Sequence, residues 1–207
     1  LEMGRGPKDL VVPGDRPEFL SMCLDRINSC YQRDKNHPAI LIWSVGNESF
    51  GGTVIRDMAD RFRALDPDRL VHYEGIFHDR TWPRSSDMES QMYPSAEAIE
   101  EFLKEHRDKP FICCEYTHAM GNSCGAISKY TELAYEEPLF QGGFIWDFVD
   151  QALARRDPQG VTYTYGGCYN DFDAKHPSAM HCNGVVSATR EWHPHAWEVK
   201  RQYQSIW

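Results

Sequence analysis

Two glutamates, each directly after or close behind a strongly apolar run, are the residues of this chain best suited to chemistry. Glu48 follows the run 39–45, and Glu115 follows the run 111–114. Two carboxyls in one pocket can cleave a glycosidic bond, because a protonated one assists the leaving oxygen while an ionised one attacks the sugar or activates water. An apolar approach strand favours the protonated form, and a neighbouring hydroxyl donor favours the ionised form. The spacing alone leaves open whether the two side chains converge.

Other polar residues occur where apolar runs stop, and they have two interpretations. Glu74 follows the run 70–73, and Asp147 follows Trp146. Carboxylates at the carboxyl ends of parallel strands can be catalytic, but they can equally cap the next helix or pair with arginine. We expect the structural role for Asp147 and Asp150. The pair His193 and His195 suggests a metal site, which we disfavour.

Helical and strand patterns alternate along the chain, and this alternation predicts an α/β fold with a parallel sheet. Asp15 is predicted to cap the first helix, with Pro17 in its first turn and the helix reaching about Lys35. No Gly-x-Gly-x-x-Gly turn follows a strand, which argues against a dinucleotide-binding fold. Five strands would form the larger part of a (β/α)8 barrel. They are expected near residues 40–45, 70–73, 91–93, 111–114 and 143–147.

The composition is that of a globular protein and excludes several classes of function. The 207 residues carry a net charge of −9, with 41% hydrophobic residues. Without clustered Lys and Arg, we expect no nucleic-acid partner, and no apolar run approaches the roughly 18 residues of a membrane span. Seven cysteines without a Cys-x-x-Cys pair, and no leader-like opening, favour a cytoplasmic location. The 13% of aromatic residues fit either core packing or sugar binding.

The segments around both glutamates closely resemble the β-galactosidases of glycoside hydrolase family 2. These segments are residues 36–49 and 114–123, and the His-Ala-Met-Gly-Asn-Ser stretch after Glu115 favours galactosidases over the glucuronidases and mannosidases of that family. Further similar segments follow the same order and extend the resemblance over nearly the whole chain. They are residues 90–93, 141–151 and 183–186.

The resemblance implies a retaining hydrolase that releases terminal β-D-galactose from β-galactosides such as lactose through a covalent galactosyl-enzyme intermediate. In such enzymes the two carboxyls lie about 5–5.5 Å apart. Glu48 would be the general acid/base at the end of the fourth barrel strand, and Glu115 the nucleophile at the end of the seventh. The fold would be a (β/α)8 TIM barrel present only in part, as strands 4–8 with their helices. Residues 1–207 would be the C-terminal portion of that catalytic domain, with an irregular loop region at about 157–184.

Five residues are expected to bind the substrate. The resemblance places Tyr93 beside the nucleophile, where its hydroxyl can donate to the carboxylate, and His118 at the galactose hydroxyls. Trp146 would form the floor of the sugar pocket, and Asn183 would lie at the sodium and galactose 6-hydroxyl site. Asn47, beside Glu48, offers both a donor and an acceptor. Ordinary packing is the alternative for Tyr93 and Trp146, and fixing its own loop is the alternative for His118.

The predicted metal sites depart from the family pattern. Many relatives hold Mg²⁺ with a glutamate, a histidine two residues later and the acid/base glutamate, which places Glu2 and Glu48 as ligands here. Gly4 stands where the histidine is expected, so the Mg²⁺ site is water-completed, altered or absent. A Na⁺ site would use Asn183 and the backbone carbonyl of Met180.

Two alternatives to the β-galactosidase hypothesis remain open. Another family 2 specificity, such as that of a β-glucuronidase, would need a cation for the sugar carboxylate, and neither Lys nor Arg occurs in the segments around the two glutamates. An inactive carbohydrate-binding fragment is the second alternative. For the full-length enzyme we expect a β-galactoside substrate and a homo-oligomer.

Overall fold

The computed structural model describes residues 12–164 and 182–206, and the chain divides into two compact units. The first unit comprises Leu1–Met92, Glu101–Cys114 and Leu139–Gln141, and the second comprises Tyr93–Glu100, Glu115–Pro138 and Gly142–Trp207. The predicted residues Glu2, Gly4 and Met180, and most of the predicted loop region, lie outside the described residues.

Helices and strands alternate as the sequence predicts. The helices are α1 (Leu20–Asp34), α2 (Gly52–Leu65), α3 (Ala96–Glu105), α4 (Ile127–Glu136) and α5 (Ala196–Tyr203). The strands are β1 (Ile42–Ser44), β2 (Leu70–His72), β3 (Glu89–Met92), β4 (Phe111–Tyr116), β5 (Phe140–Ile145), β6 (Leu153–Asp157) and β7 (Gly160–Thr164). Short 3₁₀ turns occur at Pro17–Phe19, Glu74–Phe77 and Pro83–Ser85. None of the helices within residues 12–164 and 182–206 is long and apolar enough to cross a membrane.

The strands of the described ranges form three separate sheets and no closed barrel. The strand orders are β1-β2, β3-β4-β5 and β6-β7. Strands β1 and β2 are parallel, with Trp43 opposite Val71, which confirms the predicted parallel pairing for this pair. Trp43, Val45 and Val71 are buried, but Leu41 is 73% exposed, so the apolar run 39–45 is not covered along its whole length.

The predicted cap of the first helix is wrong. The helical segment opens with the 3₁₀ turn at Pro17, whose N-cap position is Arg16 and not Asp15. Asp15 instead accepts a hydrogen bond of 2.8 Å from the backbone N–H of Thr53, in the first turn of α2. A capping residue normally lies directly before the helix that it caps. This rule fails for Asp15, because its carboxylate accepts from a helix that begins 37 residues later in the chain.

The predicted irregular region also begins with regular structure. Strands β6 and β7 form an antiparallel hairpin with Leu153 opposite Thr164 and Asp157 opposite Gly160. The β-branched and aromatic residues 161–164 favour a strand, and the turn lies between Asp157 and Gly160. The prediction of an irregular loop is therefore wrong for residues 160–164.

Each unit has its own apolar cluster. In the first unit, β1, β2, α1 and α2 pack around Trp43, which stacks on Phe62 with ring centroids 5.2 Å apart and donates from Nε1 to Asp66 over 2.9 Å. In the second unit, residues of α4 and α5 pack with the segment at Val185 and Val186. These clusters support the loops that follow the strands, where the predicted site residues lie.

Candidate active site

Glu48 lies in the loop that follows β1, and its backbone is held in an uncommon conformation. Its φ is +46°, in the left-handed region that non-glycine residues rarely adopt. The backbone N–H of Glu48 donates to Oε2 of Glu74 over 3.0 Å, and Glu74 is only 2% exposed. The side chains of Asn47 and Glu48 are exposed. The first unit thus presents both side chains to solvent from an anchored backbone.

Tyr73 fixes the rest of the same loop. Its hydroxyl donates to the carbonyl oxygen of Ser49 over 2.8 Å and accepts from the backbone N–H of Gly51 over 2.7 Å. The ring is 1% exposed, and burial raises the pKa of Tyr73 to about 12. The phenol therefore stays protonated and can donate at every pH at which the protein is expected to work.

Helix α2 begins at the end of this loop, and two distant carboxylates cap it. Asp79 accepts from the backbone N–H of Gly52 over 2.8 Å, and Asp15 accepts from that of Thr53. Carboxylates at a helix N-terminus satisfy unpaired N–H groups and complement the helix dipole. A Cβ on Gly52 would approach the backbone of Gly14 to 2.3 Å, so the chain passes too closely here for any other residue.

His72 links the strands beneath the loop. Its Nδ1 lies 2.9 Å from the hydroxyl of Ser44 on β1, and its Nε2 lies 2.8 Å from the hydroxyl of Ser90 on β3. Burial lowers the pKa of His72 to about 4, so the ring is neutral near pH 7. In the neutral ring one nitrogen donates and the other accepts, and a serine hydroxyl can match either role. No pattern of residue types along the chain pointed to His72.

In the second unit, Tyr93 and Glu115 lie together at the carboxyl ends of β3 and β4. The Tyr93 hydroxyl donates to Oε2 of Glu115 over 2.6 Å. The backbone N–H of Tyr93 donates to the carbonyl oxygen of Glu115 over 2.9 Å. A charge-assisted hydrogen bond of this length stabilises the ionised carboxylate. The predicted nucleophile therefore has the hydroxyl donor that the sequence suggested.

His118 lies beside this pair. Its ring centroid is 5.8 Å from that of Tyr93. Its Nδ1 accepts from the backbone N–H of Met120 over 3.3 Å, so the neutral ring carries its proton on Nε2. His118 thus fixes its own loop, as the alternative interpretation held, and keeps one donor for another group.

Trp146 and Asn183 also belong to the second unit. The backbone carbonyl of Trp146 accepts from Ala119 over 2.8 Å, and the backbone carbonyl of Asn183 accepts from the N–H of Asp147 over 2.7 Å. Trp146 is half-buried, and Asn183 is fully buried. The Trp146–Asp147 peptide bond is cis. Backbone pairing therefore joins the segments that carry these two residues and His118.

Asp150, His193 and His195 have structural partners. Asp150 accepts from the backbone N–H of Gly184 over 2.7 Å and lies 2.8 Å from Nε2 of His193. Nε2 of His195 lies 3.0 Å from the carbonyl oxygen of Gly184. Asp147 accepts from the backbone N–H of Phe148. These contacts agree with the structural roles expected for the two aspartates.

The described residues offer no complete metal site. Within residues 12–164 and 182–206, no group of three or more His, Cys, Asp or Glu side chains could hold a metal ion. Glu48 is the one predicted Mg²⁺ ligand in these ranges, and Asn183 the one predicted Na⁺ ligand; Glu2 and Met180 lie outside them. No chemical step is therefore assigned to either ion.

Three residues in the segments that follow strands have a left-handed backbone conformation. They are Glu48 (φ +46°), Tyr93 (φ +54°) and Thr117 (φ +46°), after β1, β3 and β4 respectively. Such conformations cost about 1–3 kcal/mol each and concentrate at functional sites. The sequence predicted a role for the first two residues and missed Thr117, whose position has no signature at the level of residue type.

The described residues define an α/β protein with glutamates that follow its strands, and comparison with known proteins identifies the family. The model of "Glycosyl hydrolases family 2, TIM barrel domain" matches residues 2–207. The chain belongs to glycoside hydrolase family 2.

β-Galactosidases are among the curated relatives that it matches. The β-galactosidase of Halalkalibacterium halodurans is 47% identical over 206 residues, which cover 99% of this chain and 20% of the relative. The β-galactosidase large subunit of Leuconostoc lactis is 44% identical over 207 residues, which cover 98% of this chain and 32% of the relative. The chain spans about a fifth to a third of the length of these relatives.

Solved structures share the fold at much lower identity. The β-glucuronidase of Bacteroides uniformis gives a TM-score of 0.66 at 14% identity, with 95% of this chain and 27% of that chain covered. A family 2 member from Bacteroides cellulosilyticus gives a TM-score of 0.65 at 17% identity, with 91% of this chain and 23% of that chain covered. At these identities the likenesses show a shared fold and nothing about the substrate.

Proposed function

We propose that the protein carrying this chain is a retaining β-galactosidase. The observation that carries the hydrolytic proposal is the 2.6 Å hydrogen bond from Tyr93 to Glu115, because it keeps a carboxylate ionised for attack. The choice of galactose rests on the β-galactosidases that are 41–48% identical over nearly the whole chain. Within this proposal, β1 to β5 correspond to barrel strands 4–8, and residues 1–207 form the C-terminal portion of the catalytic domain.

In the first step, an oxygen of Glu115 attacks the anomeric carbon, and the bond from that carbon to the leaving oxygen breaks. Glu48, protonated at this stage, gives its proton to the leaving oxygen. The product is a covalent galactosyl ester on Glu115 and a free alcohol or sugar. Tyr93 stabilises the ionised carboxylate before the attack, and the same hydroxyl remains available as a donor when the carboxylate leaves again.

In the second step, Glu48 is ionised and takes a proton from a water molecule that attacks the anomeric carbon. The ester bond to Glu115 breaks, and galactose leaves with its original anomeric configuration. Nε2–H of His118 would donate to a sugar hydroxyl, since Nδ1 is already engaged. The face of Trp146 would stack against the sugar ring, and Asn47 and Asn183 would bind hydroxyls.

Two substitutions in the full-length protein test the roles of the two glutamates. Glu115→Gln is expected to abolish turnover of every substrate, because an amide cannot act as the nucleophile. Glu48→Gln is expected to slow aryl galactosides with poor leaving groups by about 10²–10⁴-fold and activated ones far less, since only poor leaving groups need an acid. Near-normal hydrolysis across all leaving groups after either change would contradict the assignment.

Specificity and stereochemistry are tested separately. Hydrolysis of aryl β-galactosides should exceed that of aryl β-glucuronides, and the reverse order would favour the glucuronidase alternative. Proton NMR of the first product should show the β-anomer before mutarotation, as retention requires.

Hydrolysis by the isolated 207 residues is expected to be absent, and strong activity from them would contradict the proposal that they are part of a barrel.

The remaining expectations belong to the full-length protein. We propose a homo-oligomer in the cytoplasm that binds no nucleic acid. If Mg²⁺ binds, Glu48 and Glu2 would ligate it with several waters, and if Na⁺ binds, Asn183 and the carbonyl of Met180 would take part. Calorimetric titration with each ion would show whether these sites exist.

A further inference from the structure

We propose that Glu74 is a positioning residue for Glu48, the acid/base of the proposed function on which this inference rests. Glu74 does not need to touch substrate for this role. Its carboxylate holds the backbone of Glu48 and so determines where the Glu48 carboxyl stands.

The backbone of Glu48 needs such an anchor. At φ +46° a glutamate is strained, and a strained residue keeps its conformation only when its surroundings impose it. The side chain of Glu48 is exposed, so packing does not impose it. The hydrogen bond of 3.0 Å from its N–H to Oε2 of Glu74 is the contact on Glu48 that can do so.

Glu74 is itself fixed well enough to act as an anchor. It is 2% exposed, at the start of the 3₁₀ turn Glu74–Phe77, directly after the buried Tyr73. A hydrogen bond to Oε2 of Glu74 is stronger at this buried position than it would be in water.

Three consecutive residues contact β1 and the loop that follows it. His72 contacts Ser44, Tyr73 contacts Ser49 and Gly51, and Glu74 contacts Glu48. This arrangement, which we call the 72–74 clamp, fixes the loop on both sides of the Glu48 peptide group. Because the clamp holds the backbone, it fixes the position of the Glu48 Cα atom, from which the side chain extends, before substrate binds.

The expected consequence is specific to general acid catalysis. Displacement of a catalytic group by about 1 Å can cost on the order of 10²-fold in rate. A misplaced Glu48 should therefore slow substrates that need a proton on the leaving oxygen and should spare those that do not. Loss of fold stability alone would reduce both kinds of hydrolysis equally.

The test uses Glu74→Asp in the full-length protein, with kcat measured for aryl β-galactosides over a range of leaving-group pKa. Shortening the side chain by one methylene keeps the carboxyl group and withdraws the acceptor from the Glu48 N–H. We expect kcat to fall about tenfold or more for phenyl galactoside and less than about threefold for dinitrophenyl galactoside.

Glu74→Met, which fills the volume without an acceptor, is measured in parallel with the same expectation. Glu74→Gln keeps an oxygen acceptor and should stay within about threefold of the native enzyme for both substrates.

The matched control is Glu89→Asp. Glu89 has the same residue type and similar burial, 3% exposed, but it pairs with Arg80 over 2.6 Å. Within the described chain, no side-chain hydrogen bond joins Glu89 to the loop that carries Glu48. Any change in kcat caused by Glu89→Asp should be the same for all leaving groups. If the Glu74 variants lose activity equally on all substrates, or behave like Glu89→Asp, the inference is overturned while the proposed function stands. If Glu48→Gln itself shows no leaving-group dependence, the role of Glu48 fails and the inference fails with it.

Discussion

Tyr93 is bonded to Glu115 at two points, through its hydroxyl to the carboxylate over 2.6 Å and through its backbone N–H to the carbonyl oxygen over 2.9 Å. The two ends of the tyrosine thus contact the two ends of one glutamate. This pairing leaves the phenol little freedom to turn away. The hydroxyl is therefore in place before substrate arrives, which is the condition for stabilising a charge without reorganisation.

Tyr93→Phe should lower kcat/KM of the full-length protein for aryl galactosides by about 10- to 100-fold, because a hydrogen bond to a charged group contributes about 1.5–3 kcal/mol. The backbone bond remains, so circular dichroism should show an unchanged fold. Tyr135→Phe is the control, since Tyr135 is 83% exposed. An unchanged kcat/KM in Tyr93→Phe would show that the hydroxyl has no part in the reaction.

His72 should make stability fall in acid. Its pKa is about 4 in the folded chain, below the ordinary value of 6.5, so the unfolded chain binds a proton first as pH decreases. The stability that neutral His72 contributes is complete above about pH 6.5 and is lost between there and about pH 4, by up to about 3 kcal/mol. The measurement is urea unfolding of the native protein and of His72→Asn at pH 7 and pH 5, which gives the free energy of unfolding at each pH.

The native protein should lose more stability between the two pH values than His72→Asn does. The exposed His37 provides the control, and His37→Asn should keep the native pH dependence. Equal pH dependence in the native protein and His72→Asn would mean that His72 does not carry the effect.

Gly184→Ala should destabilise the second unit. A Cβ at this position would lie 2.2 Å from the backbone nitrogen of Asp150 and 2.3 Å from the carbonyl oxygen of Val186, and neither backbone atom can move aside cheaply. We expect a loss of more than about 2 kcal/mol, visible as a lower melting temperature. Gly125→Ala meets no atom within 4 Å and should be nearly neutral. Equal melting temperatures for the two variants would contradict the close approach at Gly184.

Thiol labelling should distinguish Cys182 from Cys113. Burial raises the pKa of Cys113 to about 12, and the residue is fully buried, so its thiolate is scarce and inaccessible. Partial burial and Asp150 also raise the pKa of Cys182, but that residue is exposed. Iodoacetamide followed by peptide mass spectrometry should label Cys182 first, and in urea both should react. Early labelling of Cys113 in the folded protein would contradict its placement in β4.

The sequence predicted the alternation of elements because apolar periodicity follows directly from burial. Local rules failed where the partner is distant. Asp15 looks like the cap of the nearest helix, yet it caps α2. The roles of His72 and Asp79 depend on pairings that only the folded chain brings together. The residues 161–164 carried a strand signal, but the Gly, Asp and His residues that follow concealed it.

The left-handed residues at the strand ends have a consequence for how the protein can be changed. Glycine adopts this backbone without penalty, so Glu48→Gly and Tyr93→Gly would each relieve about 1 kcal/mol of strain while removing a side chain that the proposed reaction needs. Selection for stability alone would therefore drive position 48, whose side chain is exposed, away from glutamate. At position 93 the hydrogen bond from the tyrosine to Glu115 offsets the strain. The chain gives up stability at the places where its chemistry is proposed to occur, and stabilising substitutions should be sought elsewhere.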